Sequence, residues 1–357
     1  MTHSNIFKKN IIILSLSLLF IATGCRKTED LSLLGNNITC YAAAYNKGIY
    51  KSENGGISWY PLISEQDDIY LYSKRLFLSP DAKTLYVATT GNGLFYIDME
   101  KGILKRINAS KDDNVKSVVF EDTSTGQLKS FEILVGEQEK GIFKSAESRD
   151  NREQFNHGLT YRDVNVLFKL PGNVLTGTIN GIFKWDEASK AWQDSSEGIE
   201  NKNIISMISD PEGNTIYAGS GVYQVAKGRF ENIACLYKST DQGRTWAASD
   251  SGLPEGALIY VIAVSPVKSE RIYAGTNQGI YRSADGGENW SRTDKGLPEG
   301  FLALDIKIVK ISDDKELVYT AGANGLYMAL DDKSQGWISR SYGLDRTYIS
   351  SILFSKN

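Results

Sequence analysis

Few side chains in this sequence have the types and spacing that bond-breaking chemistry needs. The chain of 357 residues has two histidines, His3 and His157, and three cysteines, Cys25, Cys40 and Cys235. His3 falls in a leader expected to be removed, so a histidine-based zinc site or a Ser–His–Asp triad has one histidine to draw on. No metal and no cofactor is expected. What remains is tyrosine, arginine and carboxylate, and three stretches bring them together. SEQDDIYLYSKR carries Tyr70, Tyr72 and Arg75; HGLTYRDV carries Tyr161, Arg162 and Asp163; YGLDRTY carries Asp345, Arg346 and Tyr348. Aromatic rings beside arginine and aspartate suit stacking on a carbohydrate, or a hot spot for a protein. The plainer reading of any one of them is a tyrosine that begins a strand and an arginine that solvates a loop.

These stretches lie between copies of a repeated unit. Residues 237–256, YKSTDQGRTWAASDSGLPEG, and 281–300, YRSADGGENWSRTDKGLPEG, agree at eleven of twenty positions at an offset of 44. The wider unit is a β-rich run, a short turn, then Gly-apolar-aromatic. Its turn-exit glycines are Gly48, Gly93, Gly141, Gly181, Gly279 and Gly325, with Cys235 in the fifth place. The spacings are 45, 48, 40, 54, 44 and 46, which makes seven copies. Periods of about 40 to 50 residues mark solenoids and propellers.

Each copy reads as four short strands, rich in Val, Ile, Tyr and Thr and cut by Gly, Asn, Asp and Pro. In the sixth these are LIYVIAVSP, RIYAGT, GIYRSA and NWSRTD. One such sheet exposes both faces, whereas seven packed radially bury them against their neighbours. The pattern therefore predicts an all-β, seven-bladed β-propeller of four-stranded antiparallel blades. Pro80, Pro171, Pro211 and Pro266 each end an innermost strand, where a missing amide donor costs nothing. The first copy lacks an innermost strand, and the C-terminal TYISSILFSKN supplies a spare one. The ring is thus expected to close with the C-terminal strand completing the first blade, which removes an open sheet edge. The fifth copy carries an extension around Tyr223 to Phe230, read either as a lid or partner contact or as a plain hairpin.

Within the repeat, one turn recurs. Ser239-x-Asp241-x-Gly243-x-Thr245-Trp246 and Ser283-x-Asp285-x-Gly287-x-Asn289-Trp290 share it, and Ser52-x-Asn54-x-Gly56-x-Ser58-Trp59 is a third with Asn for Asp. The hydroxyl and carboxylate are placed to bind nearby backbone amides, the glycine takes a positive φ, and the indole buries beneath the turn. Decayed forms end at Trp192 and Trp337, so five of the six tryptophans occupy one slot. A catalytic site is built once, whereas a structural turn is repeated, so these residues read as scaffold.

The motif resembles the Asp-box, or BNR repeat, and the whole mature chain resembles seven-bladed members of the sialidase-like propeller superfamily. That resemblance implies a fold shared by sialidases, xyloglucan hydrolases, the ligand-binding propeller of sortilin-type receptors and a photosystem II assembly factor. Fold alone does not choose among these. It also implies that the loops between blades, and those between the second and third strands, share one face. A sialidase would need an Arg-Ile-Pro triplet, which occurs nowhere here, and six blades in place of seven. A xyloglucanase-like glycoside hydrolase would need two carboxylates across a cleft. The inter-blade loops offer Asp67, Asp68, Asp163, Glu255, Glu299 and Asp345, of which Asp163 and Asp345 are the catalytic candidates. The favoured reading is a non-catalytic protein- or glycan-binding scaffold, with Tyr70, Tyr72, Arg75, Tyr161, Arg162 and Arg346 as its contact residues.

The N-terminus sets the expected compartment. Lys8 and Lys9 precede an apolar run of twelve residues, Ile11 to Ala22, and then Ala22-Thr23-Gly24-Cys25. A spanning helix needs about 20 apolar residues, so this is an export signal. It resembles a bacterial lipoprotein signal, which implies cleavage before Cys25 and lipid on that cysteine. The expected division is 1–24 removed signal, 25–38 lipid-anchored linker and 39–357 propeller. Arg26 follows the cysteine, which favours the outer membrane, facing the periplasm or the cell surface. Without Lys8 and Lys9 there are 38 basic residues against 43 acidic ones, a net of −5 with no long basic run. Nucleic acid is therefore not an expected partner. Cys40 and Cys235 fall in blades one and five, too far apart for a disulfide.

Overall fold

Short apolar runs broken by glycine turns produce strands, and among the described residues no helix. The computed structural model describes residues 35–63, 72–107, 113–124, 130–146, 152–222, 235–331, 336–344 and 346–355. Those residues form seven four-stranded antiparallel sheets, and within six of them the strands follow in chain order. Blade 6 is typical: Ile259–Val264, Ile272–Thr276, Gly279–Ser283 and Ser291–Arg292. The exception is blade 1. There Ile349–Phe354 pairs antiparallel with Cys40–Ala44, Cys40 opposite Phe354 and Ala44 opposite Ile349. The expected closure of the ring by the C-terminal strand, and the seven-bladed propeller itself, are what the chain adopts.

The hydrophobic core is divided among the blade junctions. Seven apolar clusters occur, each drawn from two adjacent blades. The junction of blades 7 and 1, for example, buries Leu317, Tyr319, Leu326 and Met328 against Cys40, Ala42 and Trp59. This follows from the fold, since a sheet packed between two neighbours must be apolar on both faces. Cys40 and Cys235 are buried free thiols in blades 1 and 5. Burial pushes both up to about 12.

The Ser-x-Asp turn forms the expected local hydrogen bonds. Ser239 Oγ donates to Asp241 at 2.8 Å and accepts from the Gly243 amide at 2.9 Å, while Asp241 accepts from the Thr245 amide at 3.0 Å. The Ser283 and Ser52 turns repeat the pattern. Its tryptophan does more than bury beneath its own turn, because each indole N–H donates to a backbone carbonyl of the preceding blade. Trp59 reaches Arg340, Trp192 reaches Phe155, Trp246 reaches Ser195, Trp290 reaches Ser249 and Trp337 reaches Thr293, at 2.6–2.8 Å. The tryptophan amides donate to the same neighbours, as in Trp246 N–H to Glu197 O at 2.9 Å. Facing that contact is a Gly-Leu or Gly-Ile pair in the preceding loop. At Gly198 φ is +87° and an added Cβ would lie 2.0 Å from the Trp246 carbonyl, so only glycine fits. Among the described residues, five of the seven junctions are latched in this way.

Candidate functional site

Seven equivalent positions build the mouth of the central channel. The innermost strand of every blade carries a β-bulge at its second residue, which drops out of the ladder. A bulge re-aims the side chain it frees. In Ser73–Leu78 and Val115–Asp122 the freed residues are Lys74 and Lys116. In Val164–Leu170, Ile259–Val264 and Ile349–Phe354 they are the polar, uncharged Asn165, Tyr260 and Ser350. Blades 5 and 7 contribute the apolar Ile205 and Leu304. All seven line one cavity of about 300 Å³, together with Arg75 and Tyr348. A second, wider cavity of about 570 Å³ lies along the channel, shares Arg75, Tyr260, Leu304 and Ser350, and is otherwise lined largely by apolar side chains such as Phe77, Phe120 and Ile208.

The mouth is positively charged. Burial first, and then the neighbouring Lys116 ammonium, push Lys74 down to about 7, with Asp163 pulling the other way. Arg75 extends its guanidinium across the channel to the Ile205 carbonyl at 3.5 Å. Burial lowers its affinity for a proton and the Asp305 carboxylate restores part of it. Asp305 itself is occupied by Lys307 at 2.6 Å, Ser351 Oγ at 2.9 Å and the Ile352 amide at 2.9 Å. Among the described residues neither Lys74, Arg75 nor Lys116 forms an ion pair.

Beside the mouth stands a group of exposed tyrosines. Tyr45, in the turn after Cys40–Ala44, has its ring centroid 5.4 Å from that of Tyr72 and 5.5 Å from that of Tyr348. The Tyr45 amide donates to the Tyr348 carbonyl at 2.8 Å, tying the turn of blade 1 to the loop before its own innermost strand. The three rings are about 40 % exposed, and Tyr348 also lines the channel mouth.

The contact residues expected from sequence divide between several places. Tyr72 lies in the tyrosine group, and Arg346 is an exposed residue two positions before Tyr348, with φ +54°. Arg75, expected in a loop, is instead on the innermost strand and turned into the channel, a change made by the bulge beside it. Tyr161 and Arg162 are exposed in the loop leading into blade 4 and make no ring contact with the tyrosine group. Tyr70, Asp345, Cys25 and the Tyr223–Phe230 extension lie outside the described residues. Lys74, Lys116, Tyr260 and Tyr45 were missed. Aligning the second residues of the seven innermost strands would have found the first three.

Asp163 is half-buried, and burial raises its carboxyl above the usual range while Lys116 and Lys74 oppose the rise. A closer carboxylate cluster lies at the junction of blades 2 and 3, where Arg152 pairs with both Asp113 and Glu137 and Lys140 pairs with Asp113. Both acids are about 1 % exposed, so no substrate reaches them. Their pairing is structural and lies where no tryptophan latch is found.

A family model described as the Pep3/Vps18/deep orange beta-propeller domain matches residues 60–211, less than half of the chain. No curated protein sequence matches it. Among solved structures, the chain is similar to the extracellular domain of BT4673 from B. thetaiotaomicron, described as a one-component system. The TM-score is 0.59 at 12% identity over 86% of this chain, which spans only 46% of that one. YCF48 bound to D1 peptide follows with TM-score 0.55 and 13% identity, covering 80% and 86% of the two chains. A protein from Bacteroides uniformis described as a 6-phosphogluconolactonase has TM-score 0.54 and 15% identity, covering 90% of this chain and all of its own. Identities this low show a shared seven-bladed β-propeller fold and leave function to the site.

Proposed function

We propose that this protein is a lipid-anchored member of the BNR/Asp-box propellers that presents its loop-bearing face to a protein or a glycan at the bacterial outer membrane. The signal (1–24) is removed, Cys25 carries the lipid, residues 25–38 are the linker and 39–357 the propeller. One observation carries the binding reading: the contiguous exposed group Tyr45, Tyr72 and Tyr348 at the channel mouth. Three aromatic rings held by backbone hydrogen bonds on a rigid scaffold are costly to leave in water and well suited to stacking. YCF48 with its bound D1 peptide is a precedent for ligand binding on this fold.

Alanine at Tyr45 and Tyr72 together, neither of which lines the channel cavity, should weaken binding on a glycan array, or to a captured envelope protein, by more than roughly tenfold. Alanine at Asp241, on the opposite rim, should leave affinity unchanged. Equal loss from both would count against the face. Cys25→Ser should leave the detergent phase, and membrane retention of that variant would remove the anchor. The glycoside hydrolase reading rests on the raised carboxyl of Asp163, in the manner of a general acid. Turnover of any glycan, abolished by Asp163→Asn, would replace the scaffold reading with that one.

A further inference from the structure

The cavity at the channel mouth lies below the loop face, and its lining does not follow from a platform role. Two lysines from adjacent blades, Lys74 and Lys116, are turned into it side by side by their bulges. A like-charged pair repels; Asp163 offsets part of that charge, yet no carboxylate among the described residues forms an ion pair with either lysine. Arg75 adds a third cation below them, held to the Ile205 carbonyl. The one carboxylate in the lining of the wider cavity, Asp305, is already taken up by Lys307 and two further donors.

The rest of the wall is of another kind. The Tyr260 and Tyr348 hydroxyls have no hydrogen-bond partner among the described residues. Asn165 spends its amide N–H groups on Asn203 and the Ile204 carbonyl, which leaves its oxygen as an acceptor. Ile205 and Leu304 supply apolar surface. A cationic wall, free phenols, an amide acceptor and a small apolar patch surround about 300 Å³, the low end of the range for small-molecule sites. We infer that this cavity binds a sugar acid of monosaccharide size, its carboxylate against Lys74, Lys116 and Arg75 and its hydroxyls toward Tyr260, Tyr348 and Asn165. Either this site or the tyrosine face can fail without the other.

A carboxylate beside Lys74 favours the charged ammonium, so binding takes up a proton wherever the free lysine is partly neutral. The charged and titratable groups facing Lys74 are Arg75 on its own strand, Lys116, Asp163, Tyr260 and Tyr348. The tyrosines titrate above their ordinary value and therefore outside the range tested.

The experiment is calorimetry of the full chain with D-glucuronate and D-galacturonate, and with glucose and galactose as neutral isosteres. The uronates should bind and the neutral sugars should not. Affinity should fall several-fold between about pH 6.5 and pH 8.5, as Lys74 loses its proton in the free protein. Lys116→Gln should weaken uronate binding by roughly tenfold or more. Lys74→Gln should do the same and remove the pH dependence. Both side chains face a water-accessible channel, and the pH dependence of the unmutated protein is read without any variant. Equal binding of uronates and neutral sugars, or no uronate heat at about 10 mM, beyond the weak millimolar range, would overturn the proposal. So would uronate binding that both lysine variants retain, or capture of an acidic peptide in the absence of any uronate binding. Glycan or protein binding lost in the tyrosine variants would leave the platform reading standing in each case.

Discussion

Trp246 shows how much one residue type does in this ring. Its indole is buried, fills the junction of blades 4 and 5, and satisfies the Ser195 carbonyl at 2.8 Å. Trp246→Phe keeps most of the ring volume and strands that carbonyl, at a cost of about 1–3 kcal/mol. Trp246→Ala should cost about 3–5 kcal/mol, because a cavity is added to the loss. Urea titration would measure both, and a Trp246→Phe protein as stable as the unmutated one would mean that the hydrogen bond contributes nothing. The turn above it has its own signature. The Thr245 amide first, with the Thr245 and Ser239 hydroxyls, holds Asp241 down to about 2; the Asn289 side chain leads the same effect at Asp285. A carboxylate whose folded value lies below its unfolded value, near 3.9, stabilises above that value and ceases to as pH falls through the folded one. The melting temperature should therefore drop between about pH 4 and pH 2, and less steeply in Asp241→Asn/Asp285→Asn. An unchanged slope would show that these turns do not govern acid stability.

Among the elements, the C-terminal strand carries the greatest consequence. Ile349–Phe354 is the innermost strand of blade 1, and Ile349 and Ile352 are buried at its junction with blade 7. Ser351 also binds Asp305 of blade 7, and its oxygen accepts from the Leu76 amide of blade 2. Deleting the chain from Thr347 onward removes contacts to both neighbours and exposes the ladder edge of Cys40–Ala44. The melting temperature of the whole domain should fall, with loss of a single cooperative transition. A truncated protein that melts unchanged would mean that the ring closes by other means. The innermost strands also explain why the site was only partly legible. A strand with period two would aim Lys74 and Arg75 to opposite sides, yet the bulge turns both toward the channel. Nothing in the residue pattern of any one strand marks that bulge, whereas its recurrence in all seven does.

Across the molecule, the junctions differ. Blades 3 to 7, and the return from 7 to 1, are joined by tryptophan latches, while among the described residues the junctions of blades 1–2 and 2–3 have none. Apolar clusters remain at both, and the second adds the Asp113, Glu137 and Arg152 ion cluster. A ring with two unlatched seams should open there first. Amide hydrogen exchange should therefore be faster in Thr84–Thr89 and Phe131–Glu137 than in Ile216–Ser220 and Ile272–Thr276. Uniform protection would refute the seam. Because the two lysines of the channel mouth come from blades 2 and 3, ligand binding there should slow exchange at that seam most.

The sequence by itself determined the architecture: blade number, strand order within a blade, the turn chemistry and the closing strand. Each of these depends on contacts between residues close in the chain, or on a period that repeats seven times and so stands above the noise of any one copy. The tertiary structure alone decided what lies at the centre. Lys74, Lys116, Asn165, Tyr260 and Ser350 are separated by 42 to 95 residues in sequence order and share no motif. They meet because seven strands start at one axis, and burial and mutual repulsion then set the charge of the mouth. Arg75 makes the same point at one position: its type was legible as a binding residue, but its direction depended on a bulge and its environment on Asp305 from a blade 230 positions away.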